Sequence, residues 1–139
     1  MAFDLIDSIA ISASGMRAQG ARIRVVAENV ANANTTGTTP GAEPYRRQII
    51  SFENELNKQL GVRTVQVDDI TRDTKAPFTE SFNPDHPAAD ERGIVLMPNV
   101  NVATEMMDFR EAQRSYEANL GMIDQARSMI TRTVELLRV

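Results

Sequence analysis

The side chains that could carry out acid–base, nucleophilic or metal chemistry are few in this sequence. It contains no cysteine and a single histidine, His86, in the segment NPDHP. A histidine-based metal or nucleophile site would therefore depend on carboxylates alone as partners. The acidic pairs Asp68 with Asp69 and Asp90 with Glu91 lie where loops or strand ends are expected, without a glycine-rich phosphate loop nearby. The sequence thus predicts no catalytic residue, no cofactor and no metal site.

Charge and composition argue against several classes of partner. The formal net charge is −4, and the basic residues are spread along the chain, so no nucleic-acid surface is predicted. No run approaches the ~20 apolar residues that cross a bilayer. Acidic residues stand where a secretory signal would carry positive charge. We therefore expect one domain with no membrane insertion, no cleaved signal peptide and no small-molecule substrate.

The N-terminal region carries an apolar stripe with heptad spacing. Its members are spaced alternately by four and three residues from Ala2 to Val30, which is typical of a helix that packs against another helix. Asp4 and Asp7 lie near the start, where carboxylates favour the positive end of the helix dipole. The helix is expected to end in residues 29–37, where asparagine and glycine accept the left-handed conformation that closes helices.

A longer stripe with the same spacing runs from Val102 to Leu137. Pro98 excludes helix before it, and Asn99 or Asn101 can cap its first turn. The sequence therefore predicts a second long helix that reaches almost to the last residue.

Both stripes need partners, because a lone helix cannot bury its own apolar face. One possibility is a pair within the chain; the other is a pair that packs further against copies of itself. Gly20 lies on the first stripe and costs ~1 kcal/mol of helix propensity against Ala, which close approach by a neighbour would offset. Apolar residues off the stripes favour the second possibility: Leu5, Val25, Val26, Ala112, Ala126, Met129 and Leu136.

The region between the stripes has the composition of a small β module. Strand-like composition occurs at residues 45–52, 62–70 and 93–97. Residues 53–60 could instead form one or two helical turns. Residues 74–90 contain three prolines and predict an exposed loop, with His86 in solvent.

The predicted fold class is α+β, with long N- and C-terminal helices that form an antiparallel coiled-coil core around a small β-rich middle module. The expected segments are the first helix at 1–36, the middle module at 37–98 and the second helix at 99–139.

Two stretches resemble the signatures of a known family. Residues 28–35 (ENVANANT) resemble the asparagine-rich signature that ends the N-terminal helix of bacterial flagellar rod, hook and related axial proteins. Residues 105–119 (EMMDFREAQRSYEAN) are similar to the companion signature in the C-terminal helix, in the right order. Residues 44–48 (PYRRQ), residues 97–102 (MPNVNV) and the short length resemble proximal-rod members in particular.

The resemblance implies a structural subunit of the flagellar drive shaft, whose terminal helices line a central channel while the middle module faces outward. The implied partners are copies of itself, other rod proteins, and neighbouring ring and export components of the basal body. It also implies a periplasmic rod location reached through the flagellum-specific export apparatus. The alternatives are another axial protein, such as a hook-junction protein, and a cytosolic coiled-coil adaptor.

The residues on which this function would depend are interfacial rather than catalytic. Asn29, Asn32 and Asn34 are expected to satisfy backbone groups at the junction of the first helix with the middle module. The predicted subunit interface consists of stripe residues: Ile9, Met16, Ile23, Val30, Met106, Phe109, Tyr116, Leu120, Ile123 and Ile130.

Overall fold

A computed structural model describes residues 2–138, without the side chains of Ala2 and Phe3. Met1 and Val139, the outermost residues of the first and third predicted segments, lie outside the described residues, as does the side chain of the stripe residue Ala2. The described chain is α+β, as predicted. Its elements are α1 (Ala2–Ala31), β1 (Gln48–Asn57), β2 (Val62–Arg72), β3 (Thr79–Phe82), β4 (Ile94–Met97) and α2 (Val102–Leu136).

Both helices begin and end close to the positions that the sequence predicts. Asn101 caps α2, because its Oδ1 accepts the backbone N–H of Thr104 at 3.2 Å. At the end of α1, the backbone oxygen of Glu28 accepts both the backbone N–H of Asn32 at 3.1 Å and its side-chain Nδ2 at 2.9 Å, so Asn32 closes the helix with two hydrogen bonds to one carbonyl group.

The strands form two separate two-stranded sheets, β1 with β2 and β3 with β4. The β1–β2 turn places Gly61 at φ 69°, and Asn57 Oδ1 accepts the backbone N–H of Gln59 at 3.0 Å. Residues 53–57 are strand, so the alternative of helical turns at 53–60 was wrong. The expected loop at 74–90 contains β3, which pairs antiparallel with β4. All four residues of β3 are exposed, so the strand lacks the alternation of buried and exposed side chains from which it could be predicted.

The chain divides into two compact units. The first contains the residues up to Ile23, Ser51–Asp69 and the residues from Arg110 onward, and the second contains Arg24–Ile50 and Ile70–Phe109. The described buried side chains of the first unit are small or polar: Ser12, Ser14, Ala18, Thr64, Ala112 and Ala126. Those of the second unit include Val25, Val26, Asn29, Ala88, Val95 and Glu105.

The buried positions of α2 lie one residue away from part of the predicted stripe. Ala112 and Ala126 are 0 % and 4 % exposed, whereas the stripe residues Met106 and Leu120 are 40 % and 43 % exposed. The side of α2 that its own chain covers therefore carries small residues, and large apolar side chains lie beside it. Small residues allow neighbouring backbones to come close, which large ones prevent.

The close approach occurs at Gly15 rather than at Gly20. In the first unit, a Cβ atom added to Gly15 of α1 would lie 2.9 Å from Nδ2 of Asn119 in α2. A Cβ on Gly20 would meet no described atom within 4 Å. No described residue therefore makes a close approach at Gly20, and the glycine is tolerated there within the described chain.

Alanine at these two glycines should therefore have different effects. Gly20→Ala is expected to stabilise the chain by about 1 kcal/mol through helix propensity. Gly15→Ala should lose that gain, because its Cβ displaces the Asn119 amide from the Ser115 carbonyl oxygen, 2.9 Å away. Urea unfolding of both variants measures the difference. Equal stabilisation would contradict the close approach at Gly15.

Candidate functional site

A buried amide lies in the second unit. Asn29, near the end of α1, is 1 % exposed. Its Nδ2 donates to the backbone oxygen of Gln48 at 2.9 Å and to Oε2 of Glu105 at 3.0 Å. Its Oδ1 accepts the Tyr45 hydroxyl at 2.9 Å and the backbone N–H of Gln48 at 2.8 Å. The side chain therefore makes all four hydrogen bonds available to an amide.

The partners of Asn29 determine which way its amide faces. The backbone oxygen of Gln48 can only accept and its N–H can only donate, so a reversed amide would place oxygen against oxygen. By bonding both groups, Asn29 gives the first residue of β1 the pairing that a neighbouring strand would otherwise supply. One side chain thus connects the end of α1, the start of β1 and, through Glu105, the first turn of α2.

Glu105 is the second buried polar group of this cluster. It is 1 % exposed and accepts hydrogen bonds from Asn29 and from Nε of Arg47. The Arg47 guanidinium also lies 3.9 Å from Oδ2 of Asp73 and 3.8 Å from Oδ2 of Asp108. A carboxylate is stable away from water only when it is paired and hydrogen-bonded. The position of Arg47 is therefore what allows Glu105 to be buried.

Asn99 fixes the backbone that carries Arg47. Its Oδ1 accepts the backbone N–H of Arg47 at 2.8 Å, and its Nδ2 donates to the backbone oxygens of Asp73 at 3.1 Å and Ala76 at 3.2 Å. Asn99 is therefore not the cap of α2, a role that Asn101 takes. It holds the segment after β2 against the segment before β1.

The Tyr45 hydroxyl is held in its protonated form. Burial raises the pKa of Tyr45, and the negative charges of Glu28 and Glu105 raise it further. The hydroxyl therefore remains a donor to Asn29 across the physiological pH range. We call the five side chains of Asn29, Tyr45, Arg47, Asn99 and Glu105 the junction cluster.

The junction cluster binds the groups of its own chain. Every donor and acceptor of the Asn29 amide is occupied, and Glu105 is paired with Arg47. Within residues 2–138, no three His, Cys, Asp or Glu side chains are arranged to hold a metal ion. Over the same residues, no helix is both long and apolar enough to cross a membrane. The cluster fixes the relative positions of chain segments within the second unit.

The predicted interface residues are exposed or half-buried, and their role stays a prediction. Met106 and Leu120 are exposed. Of the predicted junction asparagines, Asn32 bonds the backbone of its own helix and Asn34 is exposed. The other predicted interface residues are half-buried: Ile9, Met16, Ile23, Val30, Phe109, Tyr116, Ile123 and Ile130.

Three members of the junction cluster were not predicted from the sequence. Tyr45, Arg47 and Glu105 all lie within the stretches that resemble the axial family, yet nothing in their spacing indicates that they lie close to Asn29 or to one another. The heptad stripe offered no signal for Glu105, because Glu105 and the buried Ala112 lie seven residues apart on a side of α2 that the stripe does not mark.

The placement of His86 in solvent was also incorrect. The side chain is half-buried, its Nδ1 accepts the backbone N–H of Ala88 at 3.1 Å, and its Nε2 lies 3.4 Å from Oγ1 of Thr36. A proline-rich loop can still pack, because proline lowers the conformational freedom that packing would cost.

Comparison with known proteins identifies the class. The family described as "Flagella basal body rod protein" matches residues 9–38, and the family described as "Flagellar basal body rod FlgEFG protein C-terminal" matches residues 91–136. The two matches cover most of both helices, including Asn29 and Glu105. The chain is therefore a flagellar rod-type protein.

Relatives that match nearly the whole chain narrow the assignment. The flagellar basal-body rod protein FlgC of Agrobacterium fabrum is 48% identical over 92% of this chain and 91% of its own length. The FlgC proteins of Borreliella burgdorferi and Salmonella typhimurium are 35% and 34% identical over 96% and 95% of this chain, and 98% and 97% of their own lengths. The chain belongs to the flagellar basal-body rod protein FlgC family, and it is a structural subunit of the flagellar basal-body rod.

The geometry of Asn29 predicts that its nearly isosteric carboxylate is not tolerated. Asn29→Asp would place an oxygen against the Gln48 carbonyl and Glu105, and both donated hydrogen bonds would be lost. We expect the free energy of unfolding to fall by about 3 kcal/mol or more. The matched control Asn34→Asp, at an exposed position, should change it by about 0.5 kcal/mol at most. Equal urea midpoints for the two variants would disprove the hydrogen bonds assigned to Asn29.

Two aspartates predict acid destabilisation of the second unit. The backbone N–H of Ala76 holds the pKa of Asp73 below its usual value, and that of Ile94 does the same for Asp90. A pKa that is lower in the folded state contributes stability above the unfolded value of about 4, and that stability is lost as pH falls further. The melting temperature of Asp73→Asn should therefore lie below that of the unmodified protein at pH 6. The two melting temperatures should approach each other as the pH falls towards 3. A melting difference that does not depend on pH would contradict this.

Proposed function

We propose that this rod subunit polymerises into the helical shaft of the proximal rod, where it transmits torque towards the hook and surrounds the export channel. The observation that carries the proposal is the exposure of large apolar side chains on α2. Exposed large apolar residues on this helix are Val102, Met106, Met107, Leu120, Met122, Met129, Val134 and Leu136. Such a concentration on one helix indicates a surface that a protein partner covers.

The exposed residues lie on two flanks of α2. At 100° per residue, Met106 and Leu120 fall on one side of the buried positions Ala112 and Ala126, and Met122 and Met129 fall on the other. A helix with two separate apolar flanks can contact two different neighbours. Contacts between unlike surfaces propagate into open helical assemblies. Methionine suits this role, because its unbranched side chain adapts to irregular neighbours.

Pairing of the two helices as an antiparallel coiled coil is part of the proposal. In the first unit Gly15 meets Asn119, and in the second unit Asn29 meets Glu105. Asn29 follows Gly15 by fourteen residues along α1, and Glu105 precedes Asn119 by the same number along α2. Fourteen residues are two heptads, so both contacts fit one antiparallel register.

The remaining partners follow from the family and from the sequence. We assign contacts with other rod proteins and with neighbouring ring and export components of the basal body, and a location in the periplasmic rod. In this arrangement the channel-side helices belong to segments 1–36 and 99–139. The outward module is segment 37–98. Recovery of the protein in purified basal bodies, and its position along the rod relative to other rod proteins, tests these assignments. Accumulation in the cytosol of motile cells would refute them.

A charge on the exposed flank separates assembly from folding. Leu120 is 43 % exposed, so Leu120→Asp should lower the free energy of unfolding of the single chain by only about 1–2 kcal/mol, through partial loss of apolar burial and of helix propensity. In a rod the new carboxylate would be buried without a partner, which costs several kcal/mol. We therefore expect loss of motility and of the protein from basal bodies.

The control for this experiment is Ser128→Asp, which adds the same charge to an exposed position of α2 away from both flanks. A strain that carries only this variant should swim normally. Normal swimming of the Leu120→Asp strain would rule out the proposed interface on that flank.

A further inference from the structure

Ser14 connects the β1–β2 hairpin to α1 in the first unit. The residue is 1 % exposed. Its hydroxyl donates to the backbone oxygen of Ile11 at 2.7 Å and accepts the backbone N–H of Val65, in β2, at 3.2 Å. A hydroxyl has one donor and two acceptor positions, so Ser14 can bond the helix and the hairpin at once.

The Val65 N–H is the kind of group that a two-stranded sheet leaves without a partner. Each strand has one neighbour, so half of its backbone groups face an open edge. At Val65 the open edge is covered by α1, and Ser14 supplies the acceptor. The adjacent Thr64 is buried, and its Oγ1 donates to the backbone oxygen of Glu55 at 3.3 Å. The hairpin is therefore bonded internally and to the helix at neighbouring positions.

This anchor is short. Along β2, Val62, Thr64 and Val65 are buried or half-buried, whereas the residues from Gln66 onward are exposed. A cleft of about 190 Å³ lies beside the anchor, lined by Arg17, Ala18 and residues 64–67. Beyond the contact with Ser14, the side chains of β2 are thus open to solvent.

We infer that Ser14 is a positioning residue, which fixes the hairpin on α1 and so sets the direction in which the exposed hairpin side chains meet neighbouring subunits. The part that concerns subunits rests on the proposed polymerisation. Four large apolar side chains of the hairpin in this unit are exposed: Phe52 and Val67 at 37 %, Leu60 at 38 % and Leu56 at 53 %.

Hydrogen exchange of the full-length chain tests the anchor. In Ser14→Ala, amide exchange in residues 62–69 should become about tenfold faster, the effect of losing one hydrogen bond of ordinary net strength, while exchange in β4 stays unchanged. Ser128→Ala, the same change at an exposed position of α2, should alter neither. Unchanged exchange in residues 62–69 of Ser14→Ala would overturn the anchor.

Two further variants distinguish hydrogen bonding from packing. Ser14→Thr keeps the hydroxyl and should restore slow exchange, whereas Ser14→Cys keeps the size but offers only a weak acceptor and should not. Restoration by Cys as complete as by Thr would show that volume, not the hydrogen bond, holds the hairpin. The Cys variant also provides the measurement if Ser14→Ala does not fold.

Motility decides the second half of the inference. A strain carrying Ser14→Ala should assemble fewer rods and swim less than one carrying Ser14→Thr. Fast exchange in Ser14→Ala together with normal rod assembly would confirm that Ser14 anchors the hairpin, but it would overturn the role of this anchor in presenting the hairpin to neighbouring subunits. Failure of the proposed polymerisation is a separate result, since it is read from Leu120→Asp, whereas the exchange experiment uses the unassembled chain.

Discussion

The hydrogen bond between Asn29 and Glu105 is the interaction on which the second unit depends. Both side chains are almost completely shielded from water, so each is stable only if its partners are present. Asn29 needs Tyr45 and Gln48 in addition to Glu105, and Glu105 needs Arg47. These groups come from the end of α1, the segment that enters β1 and the start of α2. They must therefore become ordered together, and no member can be exchanged for an apolar residue by itself.

This dependence explains why polar residues occupy positions where an apolar core would be expected. Hydrophobic burial is not directional, so it allows one segment to slide along another at little cost. A fully bonded amide has a single arrangement, because every displacement breaks at least one hydrogen bond. The junction cluster therefore gives the α1–β1 junction a fixed geometry that non-directional apolar packing could not provide. A subunit that transmits force needs such fixed junctions more than it needs a large core.

The parts of the fold that the sequence predicts correctly are those with local causes. The bounds of α1 and α2 follow from periodicity, from Asn101 as a cap and from Pro98 as a barrier, all of which act within a few residues. The length of β1 depends on its pairing with β2, and the existence of β3 depends on its pairing with β4. The exposed residues of both strands show no alternation that would reveal this pairing. The Asn29 side chain was expected to bond backbone at the junction, and it bonds that of Gln48, but its bond to Glu105 spans 76 residues.

The exact side of α2 that faces its own chain could not be predicted, for a reason that bears on function. The predicted stripe of α2 contains large apolar side chains, such as Met106 and Leu120, because in a monomer large apolar side chains are the ones that become buried. This chain buries Ala112 and Ala126 instead and keeps the backbones close at Gly15. A chain that used its large stripe residues on itself would have little left to attract a second copy. By packing internally through small residues, the subunit leaves those stripes available, and the mismatch between the predicted stripe and the buried positions is what a polymerising helix pair should show.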